Sequence, residues 1–234
     1  MTSFKTLILI FIIGIAAYIL GGVTVHRQLY PFSQLRKIKI WLSPSKSISE
    51  GFKPRNSLFH IFHPKAQVVM IGDSLTQRAE WSEIFPGITI ANRGIDGDTS
   101  DDILKRIDQI LLVEAKKAFI MLGINDINFG SSVEEIIDNY IKIILILKRN
   151  NITVYIQSTL ECNRNICGET LTKIRLLNEQ LKYYADKEGL IYININEDLT
   201  DINSGLLFKF SPDGVHLLGS GYLIWSKKIS YYII

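Results

Sequence analysis

The chain has 234 residues and a formal net charge of +3, and 47% of its residues are hydrophobic. This length accommodates one domain with a large core and an appendage. The positive balance is weak, and no stripe of lysine and arginine interleaved with aromatic residues is present. The chain therefore lacks the basic surface that nucleic-acid binding requires, and we expect no nucleic-acid partner.

Residues 1–25 are predicted to form an N-terminal membrane anchor. The stretch from Thr6 to Val25 carries no charged residue, and its length suits a helix that crosses a hydrocarbon core of about 30 Å. The alternatives are a cleaved signal peptide and a helix buried inside the protein. A signal peptide usually has a shorter apolar part and a small-residue cleavage site, and neither is evident here. We therefore favour a single-pass anchor that contacts the membrane.

Two features favour opposite locations for the rest of the chain. Basic residues follow the anchor, among them Arg27 and Arg36, and the positive-inside rule would keep this flank in the cytoplasm. Cys162 and Cys167 lie close together in a polar stretch, and a disulfide between them would require an oxidising compartment. Two unrelated thiols are the alternative. We favour a periplasmic or otherwise extracytoplasmic catalytic domain.

Residues 26–64 are predicted to be a stem, because Pro54 and Pro64 interrupt any long periodicity there. The aromatic and histidine run at residues 59–63 is expected to pack on the edge of the domain. His60 and His63 are poor candidates for metal ligands, since no carboxylate or cysteine nearby completes a ligand set.

Residues 65–234 alternate short apolar runs with longer amphipathic ones, which predicts an α/β domain. The predicted strands are Gln67–Ile71, Thr89–Asn92, Ala118–Leu122, Thr153–Gln157 and Leu190–Ile193. The predicted helices are Arg78–Phe85, Ser100–Ala115, Val133–Arg149, Thr170–Glu188 and Ser220–Tyr232. Ser131 and Glu134 form a candidate capping box for the third helix. Alternating strands and helices predict a five-stranded, mostly parallel sheet with helices on both faces.

Polar clusters follow the first three strands, at residues 72–75, 94–98 and 123–126, and a fourth occupies residues 213–216 before the last helix. Ligands of open α/β sheets bind at the carboxyl ends of the strands. The first three clusters are therefore expected at one edge of the sheet, within reach of the fourth. Together they contain a serine, glycine amides, a carboxamide, an imidazole and a carboxylate, which suffice for acyl transfer through a serine nucleophile.

Ser74 is the candidate nucleophile, because it lies where a strand gives way to a helix. An amide at such a helix N-terminus favours a nearby anion. The alternative is an ordinary helix cap, which serine and aspartate often provide. The second glycine of the G-x-S-x-G elbow is missing after Ser74, which disfavours an α/β-hydrolase.

His216 is the candidate general base, and Asp213 is the carboxylate that would orient its ring. A separation of three residues allows one turn to present both side chains. Asn125 and the backbone amide of Gly97 are candidate donors to an oxyanion. The alternative for Asp213 and His216 is an ordinary turn at residues 212–214, and the alternative for Asn125 and Gly97 is a turn after a buried strand, where asparagine, aspartate and glycine are common.

The clusters resemble the SGNH, or GDSL-type, hydrolase superfamily. Ser74 in Gly-Asp-Ser-Leu matches its nucleophile block, Gly97 its glycine block and Asn125 in Gly-x-Asn-Asp its asparagine block, while Asp213 and His216 match its last block. The resemblance covers about residues 65–232. It implies a flavodoxin-like three-layer α/β/α fold and an esterase that needs no metal or cofactor. It also implies an oxyanion hole formed by the Ser74 and Gly97 amides and the Asn125 side chain.

Within the superfamily, residues 73–76 and 92–99 look similar to the branch that resembles platelet-activating-factor acetylhydrolases and bacterial sugar deacetylases. The resemblance thus implies a serine esterase that removes a short acyl group, such as acetyl, from a small-molecule or glycan ester. With the predicted N-terminal anchor, a membrane-anchored enzyme acting on an envelope carbohydrate is favoured. The alternatives are a lysophospholipase or acyl-thioesterase, an acyltransferase, and an anchored module that only binds.

Overall fold

A computed structural model describes residues 54–234. Residues 1–53 contain the predicted anchor and most of the predicted stem, and these predictions lie outside the described residues. Within the described part of the chain, no helix combines the length and the apolar character that a membrane crossing requires.

Five parallel strands form the central sheet, in the order β2-β1-β3-β4-β5. Their bounds are β1 Val68–Gly72, β2 Ile90–Gly94, β3 Lys117–Met121, β4 Thr153–Gln157 and β5 Ile191–Ile193. Gly72 at the end of β1 pairs with Gly94 on one side and with Met121 on the other, so these three strands end level. The order is that of flavodoxin-like sheets, and the predicted five-stranded parallel sheet is confirmed. A separate antiparallel pair consists of β6 Thr200–Asp201 and β7 Gly205–Leu206.

Helices flank the sheet on both faces. They are α1 Pro54–Ile61, α2 Ser74–Gln77, α3 Trp81–Ile84, α4 Ser100–Lys105, α5 Ile107–Leu111, α6 Ile124–Phe129, α7 Val133–Arg149, α8 Arg164–Cys167, α9 Thr170–Glu188 and α10 Gly219–Ile233, with a 3₁₀ turn at Phe208–Phe210. The predicted bounds of α7 and α9 are confirmed. Both helices present long apolar stripes, which are the most dependable helix signal in a sequence.

The core has two layers, because successive residues of a strand point to opposite faces. Val69 and Ile71 of β1 pack with α4, α5, α7 and α9 on one face. Val68 and Met70 pack on the other face with residues of α3 and α10, including Trp81 and Trp225. All the residues of β1 are buried, as expected for a strand covered by helices on both sides.

Two predicted helices and one predicted capping box differ from the structure, and local contacts accompany each difference. The predicted helix Ser100–Ala115 is interrupted at Arg106, which leaves helical geometry (φ −114°, ψ 18°) while its side chain bonds to buried Asp98. The capping box lies one residue later than predicted, between Ser132 and Glu135. In place of the predicted helix Arg78–Phe85, two short helices occupy Ser74–Gln77 and Trp81–Ile84, and the Asp73 side chain caps the first by accepting the Leu75 amide.

Helix α1 packs beside β2, the strand at one edge of the sheet. The Arg55 side chain donates hydrogen bonds to the carbonyl oxygens of Gly94 (2.8 Å) and Asn92 (3.3 Å). Phe59 is buried, and the guanidinium of Arg93 lies over its ring, 4.2 Å from the centroid. Phe62, by contrast, is exposed. Part of the aromatic run at residues 59–63 therefore packs on the domain.

Candidate active site

Ser74 is the first residue of α2, directly after β1. The side chain of Asp73 caps this helix by accepting a hydrogen bond from the Leu75 amide at 3.0 Å, and the Leu75 side chain is buried. A capped turn with an anchored leucine holds its first residue in a defined position. The half-buried Ser74 side chain consequently stands at the carboxyl edge of the sheet.

His216 and Asp213 lie in the segment before α10, where His216 contacts Ser74 and Asp213 contacts His216. The Ser74 Oγ and His216 Nε2 atoms are 3.1 Å apart, and His216 Nδ1 lies 2.7 Å from Asp213 Oδ2. The other carboxylate oxygen of Asp213 accepts the backbone amides of Val215 and His216. Asp213 is thus fixed by its own loop, and it fixes the His216 ring in turn. The three predicted triad residues are brought together in hydrogen-bonding order.

The surroundings of Asp213 keep its carboxyl group ionised. Partial burial raises the pKa of this carboxyl group, but hydrogen bonds from the His216 side chain and from the amides of His216 and Val215 outweigh burial and lower the pKa to about 2. An ionised carboxylate accepts the Nδ1 proton of the ring, which leaves Nε2 free to accept a proton from Ser74. This arrangement suits a general base.

The predicted oxyanion donors lie beside the nucleophile turn. Asn125 is on α6, after β3, and its Nδ2 atom donates to the Asp98 carbonyl oxygen at 3.0 Å and approaches Asp73 Oδ2 at 3.4 Å. The loop that carries Gly97 is thereby joined to α6. Among residues 54–234, the backbone amides of Ser74 and Gly97 have no hydrogen-bond acceptor, so both remain available as donors.

The two glycines of the second cluster have different surroundings. A Cβ atom on Gly94 would lie 2.3 Å from the Gln77 nitrogen and 2.8 Å from the Asp73 oxygen, whereas one on Gly97 would meet no atom within 4 Å. Gly94 is therefore a packing glycine that lets β2 approach the nucleophile turn. Gly97, with φ +75°, faces open space, as a donor to a ligand must.

A buried polar layer beneath the site was not anticipated from the sequence. Asp73 is fully buried, and burial, followed by the nearby charges of Asp126 and Asp98, raises its pKa to about 7 against the opposing hydrogen bond from Leu75. Asp98 pairs with Arg106 at 2.8 Å, with both side chains buried. The only sequence signal for this layer is an aspartate in capping position before Ser74, which is common in loops.

Among the described residues, no group of three or more His, Cys, Asp or Glu side chains could hold a metal ion. His60 instead contacts Gln109, at 2.8 Å. Cys162 and Cys167 form a disulfide, which confirms the pairing that the sequence left open.

The chain matches a known family over most of its described residues. Residues 70–224, more than half of the chain, match the GDSL-like Lipase/Acylhydrolase family. An N-acylneuraminate cytidylyltransferase of Streptococcus agalactiae serotype V is 25% identical over 178 residues, which are 72% of this chain and 41% of the relative. The chain thus spans about two fifths of the length of the curated relatives it matches.

Solved structures share the fold. A Streptococcus pneumoniae protein provisionally named a platelet activating factor has a TM-score of 0.70 at 25% identity, covering 86% of this chain and 99% of the other. A GDSL-like lipase of Bacteroides thetaiotaomicron has a TM-score of 0.70 at 23% identity, covering 79% and 97%. An acetylxylan esterase variant of Geobacillus stearothermophilus has a TM-score of 0.60 at 17% identity, covering 74% and 95%. The resemblance drawn from the sequence motifs is confirmed, and the chain belongs to the GDSL-like lipase/acylhydrolase family.

Proposed function

We propose that the protein is a serine esterase that removes a short acyl group, most simply acetyl, from a carbohydrate of the cell envelope. The observation that carries this proposal is the continuous hydrogen-bond path from Ser74 Oγ through the His216 ring to Asp213, with links of 3.1 and 2.7 Å. A module that only binds has no need of a serine, an imidazole and a carboxylate in this order.

In the proposed reaction, Ser74 Oγ attacks the ester carbonyl carbon while His216 Nε2 takes its proton. The tetrahedral intermediate collapses when His216 returns that proton to the departing sugar hydroxyl, which leaves an acyl group on Ser74. Water then attacks the acyl-enzyme while His216 accepts one of its protons, and the second tetrahedral intermediate collapses when His216 gives that proton to Ser74 Oγ, which releases the carboxylic acid and restores the serine hydroxyl. Asp213 stays ionised throughout and holds the ring in the required tautomer.

The negative charge on the carbonyl oxygen would be stabilised by the amides of Ser74 and Gly97 and by Asn125 Nδ2. The support is that both amides lack an acceptor in the described chain and that Asn125 is tied to the Gly97 loop through the Asp98 carbonyl. Hydrogen-bond donors that already have the required positions stabilise the developing charge without the free-energy cost of rearranging the site.

The names of two similar proteins support a carbohydrate ester as the substrate. The Geobacillus stearothermophilus protein is named an acetylxylan esterase, and the name of the Streptococcus agalactiae relative refers to N-acylneuraminate, which is also a carbohydrate. Acetyl esters of sugars are therefore the first substrates to test. A membrane anchor at residues 1–25 and an extracytoplasmic domain are part of the proposal, and the Cys162–Cys167 disulfide supports this location because such bonds persist in oxidising compartments.

The test compares the intact protein with Ser74→Ala on p-nitrophenyl acetate and on acetylated sugars. Hydrolysis should be abolished in Ser74→Ala and unchanged in the control Ser57→Ala, since Ser57 is an exposed serine on α1 whose hydroxyl bonds to Pro54. Turnover that survives in a folded Ser74→Ala protein would refute the proposed nucleophile. Failure of a fluorophosphonate to label Ser74 would instead favour a binding module.

Two further comparisons separate the rival activities. Faster hydrolysis of p-nitrophenyl palmitate than of the acetate would indicate a lipid-directed enzyme, and acyl transfer to a sugar that outpaces hydrolysis would indicate an acyltransferase. Asn125→Ala should lower kcat by about a hundredfold to a thousandfold with little change in KM. A rise in KM alone would contradict the oxyanion role.

A further inference from the structure

A short disulfide-closed turn lies directly against the loop that carries the candidate base. We call residues 162–167 the disulfide turn and residues 211–218 the His216 loop. The disulfide turn contains α8 and is closed by the Cys162–Cys167 bond. It follows β4, so it stands at the same edge of the sheet as Ser74.

The two segments meet at Gly214. The Asn163 amide donates a 2.7 Å hydrogen bond to the Gly214 carbonyl oxygen. A Cβ atom on Gly214 would lie 2.6 Å from Ile166 Cγ1 and 3.0 Å from Asn163 Cβ. Gly214 also has φ +80°, a conformation that favours glycine. The His216 loop therefore rests on the disulfide turn at the residue that follows Asp213.

The opposite side of the disulfide turn is held by the β6–β7 pair. The Asn163 side chain donates to the Leu206 carbonyl oxygen, and the Arg164 amide donates to that of Ser204, both at 2.8 Å. Gly205 packs against the Cys162 carbonyl oxygen with no room for a side chain. The disulfide turn is thus a wedge between the β6–β7 pair and the His216 loop.

The covalent bond adds to these contacts, because the helix within the turn has little stability of its own. Helix α8 has four residues, and a helix of that length is unstable by itself. Arg164, Asn165 and Ile166 are exposed, so burial contributes little to their order. Closing the loop through sulfur restricts the chain before any contact is made.

We propose that the disulfide turn is a positioning element for catalysis, which holds the His216 loop so that His216 Nε2 stays within hydrogen-bonding distance of Ser74 Oγ. This proposal rests on the esterase function proposed above. Gly214 separates Asp213 from Val215 and His216, so a shift of its carbonyl by even a fraction of an ångström moves the base. A misplacement of about 1 Å in a catalytic group can cost a hundredfold in rate.

The test uses the full chain in three states: oxidised, reduced with dithiothreitol, and reoxidised. In the reduction, a dithiothreitol thiolate attacks the half-buried Cys167 sulfur and Cys162 leaves as a thiolate; the second dithiothreitol thiolate then attacks the mixed disulfide and expels Cys167, which gives cyclic oxidised dithiothreitol, and both cysteine thiolates take up protons from water. The reduced protein should show kcat on p-nitrophenyl acetate lowered about tenfold to a hundredfold, with KM nearly constant. Reoxidation should restore kcat.

The double variant Cys162→Ala/Cys167→Ala should match the reduced protein, and dithiothreitol should not change it further. Asn165→Ala is the matched control, because it changes an exposed side chain of the same turn but keeps the disulfide, the Gly214 contact and the bond from its own backbone amide to Asn163 Oδ1, and its kcat should stay normal. A folded double variant with unchanged kcat would overturn the proposal.

Hydrogen–deuterium exchange tests the positioning role separately from the esterase function, because the measurement does not require the protein to hydrolyse an ester. The amides of Val215 and His216, which bond to Asp213, should exchange faster after reduction while those of β1 do not change. Equal exchange of the His216 loop in both redox states would overturn the positioning role. An oxidised protein that hydrolyses no ester would refute the esterase function, and exchange would still decide whether the turn braces the loop.

Discussion

The hydroxyl of Tyr222 donates a 2.8 Å hydrogen bond to the carbonyl oxygen of Leu75, 147 positions earlier in the chain. Leu75 follows Ser74, and Tyr222 lies in the first turns of α10, shortly after His216. This bond joins the element that carries the candidate nucleophile to the element that follows the candidate base. The distance between Ser74 and His216 therefore depends on a contact that involves neither of them.

Replacing Tyr222 with phenylalanine should loosen this connection without changing the ring packing on Trp225. Burial raises the pKa of Tyr222, so its hydroxyl keeps its proton in ordinary assay buffers and the bond is present throughout. We expect Tyr222→Phe to lower the free energy of unfolding by about 1 kcal/mol and to lower kcat severalfold. Urea unfolding and p-nitrophenyl acetate kinetics measure both; equal kcat in the two proteins would mean that the contact does not position the site.

Gly94→Ala should destabilise the protein strongly, because the new methyl group would collide with backbone atoms of the nucleophile turn. Overpacking of this kind typically costs about 1–3 kcal/mol or more. The matched control is Gly219→Ala at the start of α10, where a Cβ meets no atom within 4 Å. Thermal unfolding should show a lower Tm for the first variant and an unchanged or higher Tm for the second. The reverse order would contradict the described packing of β2.

Asp73→Asn should remove a pH dependence of stability. The pKa of Asp73 is about 7 in the folded protein and about 3.9 in an unfolded chain, so the folded state binds this proton more tightly. Its contribution to stability is complete below about pH 4 and is lost as the pH rises through 7, at up to about 1.4 kcal/mol per pH unit.

Asparagine keeps the side-chain oxygen that caps α2 but cannot ionise. Relative to the unaltered protein, Asp73→Asn should therefore gain stability between pH 5 and pH 8. Urea unfolding at several pH values measures the difference between the two proteins, and parallel stability curves would show that Asp73 titrates normally.

Arg55→Ala should destabilise the protein, because it removes two hydrogen bonds to the carbonyl oxygens of β2. We expect a loss of about 1.5–3 kcal/mol, the range for hydrogen bonds that involve a charged group. Lys65→Ala is the control, since its ion pair with Glu114 is exposed and such pairs contribute about 0–1 kcal/mol. Equal effects of the two substitutions would argue against a specific role for α1.

The sequence predicted the positions of the strands to within a residue or two, because each is a short apolar run that ends at polar or glycine residues. It also predicted which edge of the sheet would collect Ser74, Gly97 and Asn125, since parallel strands that pair with one another end together. These predictions needed only local pattern and one topological rule.

Other features depend on contacts between distant residues and leave no local pattern. The break at Arg106 follows from its bonds to Asp98 and to the Arg93 carbonyl oxygen, and nothing in the segment around Arg106 signals it. The hydrogen bond between Asn163 and Gly214 likewise joins segments about fifty residues apart. The distances within the site could be obtained only from the folded chain.

The contact between Arg55 and β2 has a consequence for assembly. β2 is an outermost strand, and an uncovered strand edge invites pairing with another chain and, eventually, aggregation. Arg55 occupies two of the carbonyl groups that an incoming strand would need, and it brings a charge to the same place. The opposite outermost strand, β5, has only three residues, which offers little length for pairing. Arg55, which precedes the residues of the family match, thus shields the β2 edge of the sheet, and the short length of β5 limits pairing at the other edge.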